Sequence, residues 1–248
     1  MIKAMIFDLD GTLVQTEPLK NLAYLHAARE LSSNTVDEAE LLEACIELIG
    51  VSAPATAMAL MQRSGLEEAA RTRMAEFGAD APWQAFSKMQ LRFYDRILDD
   101  PQILHGAKLP HNIALLHKAR QAGYKTALAT MSYRAQTQRI LDILGLTGTF
   151  DFVATQDDVE NSKPDPEVYQ LVAWGLAIPP TECLVIEDSL AGVQSALRAG
   201  MWCIAVPTSF TNQTVHAGKL LDERWIVDDP ARLTAVVQQM LAERKQDS

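Results

Sequence analysis

The sequence predicts an α/β fold, in which a doubly wound parallel sheet carries an inserted helical domain. Short apolar runs alternate with helical patterns along most of the chain, which is typical of strands that are buried on both faces. From residue 16 to residue 95, in contrast, helical periodicity continues without a strand pattern. The chain has 248 residues, a length that allows a core domain with a smaller second unit.

Composition and charge exclude several classes of protein. Hydrophobic residues make up 48% of the chain and charged residues 22%, which excludes disordered and fibrous proteins. The formal charge of -10 argues against nucleic-acid binding, which requires a basic surface. The cysteines Cys45, Cys183 and Cys203 have neither metal-site spacing nor a disulfide pattern. The first apolar run is too short for a signal segment or a membrane span, so we expect a cytoplasmic protein.

The predicted strands can be read in order along the chain. They are residues 5–7, 126–129, 152–154, 184–186 and 204–206, with a weaker sixth run at 225–227. Candidate N-caps open three of the helices between them, namely Ser132, Asp165 and Ser189. Gly145 and Gly200 stand where the first and third of these helices should end.

The helical stretch after the first strand has a different character. Three helical patterns with apolar stripes follow one another there, and a proline-containing and glycine-containing segment at 101–110 then interrupts the periodicity. We therefore predict a helical insert at residues 16–95 and an α/β core domain composed of residues 1–15 and 96–248.

A pair of acids follows the first strand, at the edge of the sheet where such folds bind ligands. Asp8 and Asp10 are two residues apart, so an extended backbone places them on the same side, and Gly11 permits a tight turn after them. One carboxylate can attack a phosphoryl group while the other transfers protons. A calcium-binding loop is excluded because Leu13 stands where that loop requires glycine. The simpler alternative to a catalytic pair is that Asp8 and Asp10 are solvated acids before a turn.

Three further strand ends carry polar residues. Glu187 and Asp188 follow the fourth strand and offer the hard oxygen donors that suit Mg²⁺, although Asp188 could instead cap a helix. Lys163 could neutralise phosphate charge or be an ordinary surface lysine. Thr130 ends a strand before a helix, where its hydroxyl could hold phosphate or cap that helix.

Taken together, these segments resemble the four ordered motifs of the haloacid dehalogenase superfamily of phosphotransferases. The matching segments are FDLDGTLV at 7–14, ALAT at 127–130, SKPDPEVY at 162–169 and VIEDSLAGVQSALRAGM at 185–201. The resemblance is to members whose helical cap domain is inserted after the first strand. It implies a Rossmann-like core and identifies the helical insert as that cap.

The resemblance also implies roles for individual residues. Asp8 would be the nucleophile that forms an aspartyl-phosphate, and Asp10 would be the general acid and base. Mg²⁺ would be held by Asp8, the backbone carbonyl of Asp10, Asp188 and, directly or through water, Glu187. The residues predicted to bind the phosphoryl group or the rest of the substrate are Thr130, Met131, Ser132, Lys163, Glu17 and Lys20.

The implied reaction is the Mg²⁺-dependent hydrolysis of a small phosphate monoester, such as a sugar phosphate, by a monomer. A mutase of the β-phosphoglucomutase type is the first alternative. Lys20 stands where that enzyme has a histidine and Ala53 where it has an arginine, which disfavours the mutase. A non-catalytic ligand-binding protein of the same fold is the second alternative, and the presence of all the motif acids argues against it.

Overall fold

A computed structural model of the protein describes residues 1–33, 35–49 and 51–246, with only the backbone of Gln246. The chain forms two compact units, one of Met1–Gln15 with Leu104–Ser248 and one of Thr16–Ile103. The predicted boundary at residue 95 falls within a helix that continues to Ile97. The apolar periodicity of that helix therefore extends past the boundary that the sequence suggested.

The described residues of the first unit form a five-stranded parallel sheet with the order β3-β2-β1-β4-β5. The strands are β1 (Ala4–Phe7), β2 (Lys125–Ala129), β3 (Phe152–Ala154), β4 (Cys183–Glu187) and β5 (Trp202–Ala205). β1 is central, with Phe7 opposite Leu128 on one side and Ile186 on the other. Because all five strands are parallel, their carboxyl ends meet at one edge, and the predicted doubly wound sheet is confirmed.

Helices account for most of the remaining chain. Those of the second unit are α1 (Glu17–Leu31), α2 (Glu38–Glu47), α3 (Ala53–Arg63), α4 (Glu67–Thr72), α5 (Met74–Phe77) and α6 (Pro82–Ile97). The helices that follow are α7 (Pro101–Gly106), α8 (Pro110–Gln121), α9 (Arg134–Leu144), α10 (Glu167–Leu176), α11 (Leu190–Arg198), α12 (Asn212–Gly218) and α13 (Leu233–Gln246). Within the described ranges, no helix is both long enough and apolar enough to cross a membrane.

Two of the three predicted N-caps are wrong. Ser189 does cap α11, since its hydroxyl accepts a hydrogen bond from the backbone N–H of Gly192. Ser132 lies before the N-cap of α9, which is Tyr133, because its hydroxyl donates to Asp10 instead. Asp165 precedes the first residue of α10 by two positions and accepts from the N–H of Glu167 there. Ser132 is therefore held by a contact outside α9, whereas Asp165 accepts from the first N–H of α10 but lies one position before its N-cap, Pro166.

The sixth apolar run, at 225–227, is also not a strand. Its first residue ends a short 3₁₀ turn, Glu223–Trp225, and Ile226 makes one isolated bridge with Ala205. Burial of this run against β5 accounts for its apolar character.

Each unit has its own buried core. In the first unit, small and branched residues of the strands pack against α10 and α11, and the sheet is buried on both faces. In the second unit, α1, α2, α3 and α6 enclose an apolar cluster in which the Tyr24 and Phe86 rings lie 5.6 Å apart. A rigid sheet edge is thus available to position side chains at the ends of the strands.

Candidate active site

Asp8 lies directly after the central strand, where it is almost completely buried. Its backbone N–H donates to the carbonyl of Ile186 at 3.1 Å, so the pairing of β1 with β4 extends to this residue. The chain then turns at Gly11, whose φ is +77° and whose N–H donates to the Val14 carbonyl at 2.8 Å. This turn gives Asp8 and Asp10 fixed positions at the edge of the sheet.

Lys163 joins the ends of three strands through its ammonium group. The Nζ atom lies 2.7 Å from Asp8 Oδ1, 2.7 Å from Glu187 Oε1 and 3.0 Å from the carbonyl oxygen of Ala129. The lysine is buried, as are both carboxylates. The surface-lysine alternative is therefore wrong, and Lys163 forms a buried ion pair with each acid.

Glu187 accepts hydrogen bonds on both of its carboxylate oxygens. Besides Lys163, the hydroxyl of Tyr169 donates to Oε1 at 2.8 Å. Oε2 accepts from the backbone N–H groups of Asp188 and Ser189 at 3.0 and 3.1 Å and from the Ser189 hydroxyl at 3.1 Å. A carboxylate offers about four lone-pair positions, so protein groups already occupy the acceptor capacity of Glu187.

Asp10 is held by the segment that follows β2. The hydroxyl of Ser132 donates to Asp10 Oδ2 at 2.6 Å, and that of Thr130 donates to the same oxygen at 3.4 Å. The Thr130 oxygen also accepts from the N–H of Ser132 at 3.0 Å. These contacts bring three of the predicted site residues into one cluster.

Asp188 completes the set of acids and packs against Gly11. A Cβ atom at Gly11 would lie 2.2 Å from Asp188 Oδ2, so the absence of a side chain there makes room for this carboxylate. The hydroxyl of Thr211 donates to Asp188 Oδ2 at 3.3 Å.

Burial and charge shift the pKa values of the buried groups in opposite directions. Burial, reinforced by the nearby carboxylates of Glu187 and Asp10, raises the pKa of Asp8 to about 7, against the lowering effect of Lys163. Burial also opposes the charge of Lys163, but Asp8 and Glu187 outweigh it and raise the pKa of the ammonium. For Glu187 the attraction of Lys163 outweighs burial, so the pKa is lowered. Burial and the charge of Glu187 raise the pKa of Tyr169 well above its ordinary value, so the phenol stays protonated.

The arrangement of acids fits a hard divalent cation, for which Asp8 and Asp188 offer oxygen ligands and Glu187 adds nearby negative charge. One oxygen each of Asp8, Glu187 and Asp188 lies within 4.8 Å of the others, and all three residues are buried. Asp8 and Glu187 share the single ammonium of Lys163, which leaves this pair with excess negative charge. Oxygen ligands and uncompensated negative charge are what Mg²⁺ sites provide.

Three further predicted site residues are Met131, Glu17 and Lys20, and two residues that contact the acids, Tyr169 and Thr211, are additional to the prediction. The Met131 sulfur accepts from the backbone N–H of Lys163 at 3.4 Å. Glu17 and Lys20 lie in the first turn of α1, in the second unit, and their contact with a substrate remains a prediction. Tyr169 and Thr211 were not predicted. Tyr169 sits within an apolar helical pattern that indicates only a core residue, and Thr211 belongs to no recognisable motif.

The fold and the site together define the class of protein. A parallel sheet carries acids after two neighbouring strands, with a buried lysine between them and hydroxyl groups beside them, which is an arrangement suited to phosphoryl chemistry. The sequence matches the haloacid dehalogenase-like hydrolase family over residues 5–206. The chain belongs to this family, as the four motifs indicated.

Curated proteins and solved structures show the same relationship. YhcW of Bacillus subtilis is 30% identical over 213 residues, which are 85% of this chain and 86% of the relative. The phosphorylated carbohydrates phosphatase of Thermotoga maritima is 27% identical over 203 residues, or 81% of this chain and 82% of that protein. The crystal structure of β-phosphoglucomutase from Clostridium difficile matches with a TM-score of 0.76 and 24% identity, covering 98% of this chain and 99% of that one. At that identity the structural match shows the fold alone.

Proposed function

We propose that this chain is a Mg²⁺-dependent phosphatase that hydrolyses a small phosphate monoester, of the sugar phosphate type, through an aspartyl-phosphate on Asp8. The observation that carries the proposal is the buried contact of 2.7 Å between Lys163 Nζ and Asp8 Oδ1, beside the acid cluster of Asp8, Glu187 and Asp188. Membership of a hydrolase family supports the reaction class. The name of the Thermotoga relative supports a phosphorylated carbohydrate as the substrate.

In the first step the Asp8 carboxylate attacks phosphorus and the bond between phosphorus and the ester oxygen breaks. Asp10 gives its proton to the departing oxygen, so that the product leaves as an alcohol. Lys163, which contacts Asp8, would attract the phosphoryl oxygens and hold Asp8 in line with phosphorus. Thr130 and Ser132, whose hydroxyls donate to Asp10, would orient that acid, and either hydroxyl would have to turn from Asp10 to donate to a phosphoryl oxygen.

In the second step a water molecule attacks the phosphorus of the aspartyl-phosphate. Asp10 now takes a proton from the water, the bond between Asp8 and phosphorus breaks, and inorganic phosphate leaves, which restores the Asp8 carboxylate and the protonated Asp10. Phosphoryl transfer depends mainly on positioning and on neutralising charge, so a rigid sheet edge is a suitable platform for it.

Mg²⁺ would be held by Asp8, Asp188 and the backbone carbonyl of Asp10, where it would supply positive charge to the phosphoryl oxygens. The oxygens of Glu187 already accept hydrogen bonds from the protein. We therefore assign Glu187 to holding Lys163 and not to binding the ion directly. Glu17 and Lys20 of α1 are the residues that we propose for contacts with the rest of the substrate.

A mutase is the second candidate, because the chain shares its fold with β-phosphoglucomutase. Lys20 and Ala53 depart from the pattern of that enzyme in the sequence, which favours hydrolysis. The two reactions share their first step and differ in what accepts the phosphoryl group from Asp8, water or a second hydroxyl of a sugar phosphate.

A panel of sugar phosphates and other phosphorylated metabolites, assayed with Mg²⁺ and with EDTA, tests the proposal. We expect Mg²⁺-dependent release of inorganic phosphate from at least one sugar phosphate. Isomerised sugar phosphate without release of phosphate would instead establish a mutase. Binding of these compounds without turnover would establish a ligand-binding protein.

A further inference from the structure

Tyr169 is a fully buried residue of α10 whose side chain contacts Glu187, one of the clustered acids. Its relative exposure is 0%, and its hydroxyl donates to Glu187 Oε1 at 2.8 Å. Its ring lies beneath Lys163, with 5.0 Å between Nζ and the ring centroid. The same side chain therefore contacts both the ammonium group and one of its two carboxylate partners.

The need for such support follows from the chemistry of lysine. Its ammonium is a compact charge on a flexible four-carbon stem, whereas catalysis requires that the charge be held in one place before the substrate arrives. Lys163 meets that need through three acceptors, of which Asp8 is the one that would change charge during the reaction. Glu187 and the Ala129 carbonyl keep their acceptor character throughout, so they are the fixed partners of the ammonium.

Glu187 is itself fixed by two sets of donors. Ser189 and the N–H of Asp188 hold Oε2, which sets one end of the carboxylate. The Tyr169 hydroxyl shares Oε1 with Lys163, and thereby sets the other end. A cation 5.0 Å from the centroid of an aromatic ring is also attracted by the face of that ring.

We propose that Tyr169 is a positioning residue for the phosphatase reaction, which uses its buried hydroxyl to fix Glu187 and, through Glu187, the ammonium of Lys163 against Asp8. The inference rests on the proposed function and adds a residue outside the motif acids. In this arrangement Tyr169 touches neither the phosphoryl group nor the metal. Its removal should therefore weaken the interaction with the phosphoryl group and leave the affinity for the ion alone unchanged.

The test compares Tyr169→Phe, which removes the hydroxyl and keeps the ring, with Tyr124→Phe. Tyr124 precedes the first residue of β2 and so lies at the opposite edge of the sheet. Turnover of p-nitrophenyl phosphate, inhibition by orthovanadate with Mg²⁺, and binding of Mg²⁺ alone by calorimetry are measured for each variant. Thermal unfolding is measured first, to establish that each variant is folded.

For Tyr169→Phe we expect a fall in kcat of about tenfold and a similar loss of orthovanadate affinity, the size typical of changes in the groups that support a site. The Mg²⁺ affinity should be unchanged, because neither Tyr169 nor Glu187 is assigned to the ion, and Tyr124→Phe should change none of these quantities. In a Lys163→Met background, Tyr169→Phe should have no further effect on orthovanadate binding, because its action passes through the lysine.

Three results would overturn the inference. One is unchanged kcat and orthovanadate affinity in a folded Tyr169→Phe variant, and another is a loss of orthovanadate affinity that persists in the Lys163→Met background. The third is a loss of Mg²⁺ affinity as large as the loss of orthovanadate affinity, which would place Glu187 among the direct ligands. Failure of the proposed function is distinct, because the unsubstituted chain would then show neither turnover nor Mg²⁺-dependent orthovanadate binding.

A crystal structure of the unsubstituted chain with Mg²⁺ and orthovanadate tests the role of Tyr169 without a substitution. The inference requires that the Tyr169 hydroxyl still donate to Glu187 while Lys163 contacts the vanadate. A Glu187 carboxylate turned onto the ion, with the tyrosine hydroxyl bonded elsewhere, contradicts it.

Discussion

Gly11 shows how a single position without a side chain can control the site. Its backbone has a φ of +77°, and a Cβ atom there would meet the Asp188 carboxylate at 2.2 Å. The residue thus serves both the turn after the first acid pair and the packing of an acid from the neighbouring strand. Sequence reasoning identified the turn, because glycine is the usual residue at positive φ, but it had no means of finding the contact with Asp188.

Replacing Gly11 with alanine should therefore affect both stability and metal binding. The matched control is Gly123→Ala, since Gly123 has a φ of +85° and no atom within 4 Å of the added Cβ. Both variants should lose about 1 to 2 kcal/mol of unfolding free energy because a side chain disfavours positive φ. Only Gly11→Ala should also weaken Mg²⁺ binding, by about tenfold or more, because it displaces a carboxylate that we assign to the ion.

Urea unfolding and calorimetric Mg²⁺ titration of the two variants check this prediction. Equal Mg²⁺ affinities in Gly11→Ala and Gly123→Ala would show that Asp188 is not required where the structure places it.

Some other residues of the site could be predicted from the sequence, and others could not. Asp8, Asp10 and Asp188 follow strands and belong to recognisable motifs, so their convergence could be predicted from the parallel sheet. Tyr169 could not, because an aromatic residue on an apolar helical face is read as core, and it is indeed fully buried. Its hydrogen bond to Glu187 joins residues 18 positions apart, a relationship that appears only when α10 packs on the sheet.

At the scale of elements, α10 ends in an unusual way. Its C-cap is Ala177, which adopts a left-handed conformation with a φ of +53°. Glycine is the usual residue at such a position because it has no Cβ to strain. Alanine at the C-cap of α10, the helix that contains Tyr169, is thus less favourable than glycine would be.

Ala177→Gly should stabilise the protein by about 0.5 to 1 kcal/mol, because relief of the left-handed strain exceeds the extra backbone entropy that glycine loses on folding. The control is Ala122→Gly at the C-cap of α8, where φ is -80°. That variant should lose about 0.5 to 1 kcal/mol, since glycine there brings only the entropic cost. Urea unfolding gives both values, and a destabilised Ala177→Gly variant would contradict the prediction.

The elements themselves could be predicted unequally well. The five strands were found because strands buried on both faces appear as short apolar runs. The starts of α9 and α10 differ from the prediction because Ser132 donates to Asp10 and because Asp165, although it accepts from the first N–H of α10, lies one position before the N-cap. The run at 225–227 has the apolar pattern of a strand because burial against β5 produces the same pattern as pairing with it.

At the scale of the whole molecule, the two compact units follow from a change in periodicity near residue 16. The second unit contains three helices beyond the three predicted stripes, namely α3, α4 and α5, and α4 and α5 are only 6 and 4 residues long. Helices of this length show less than two turns of periodicity. The predicted boundary at residue 95 is too early, because Ile97 continues the apolar stripe to the end of α6 and the second unit extends to Ile103.

The proposed reaction requires that the acids gathered at the sheet edge support a covalent bond from Asp8 to phosphorus. The direct measurement is rapid acid quenching of the chain during turnover of a sugar phosphate with Mg²⁺, followed by mass spectrometry of its peptides. We predict one added phosphoryl group on the peptide that contains Asp8, its absence with EDTA, and no turnover by a folded Asp8→Asn variant. A phosphoryl group on another residue, or near-normal rates for Asp8→Asn, would contradict the account.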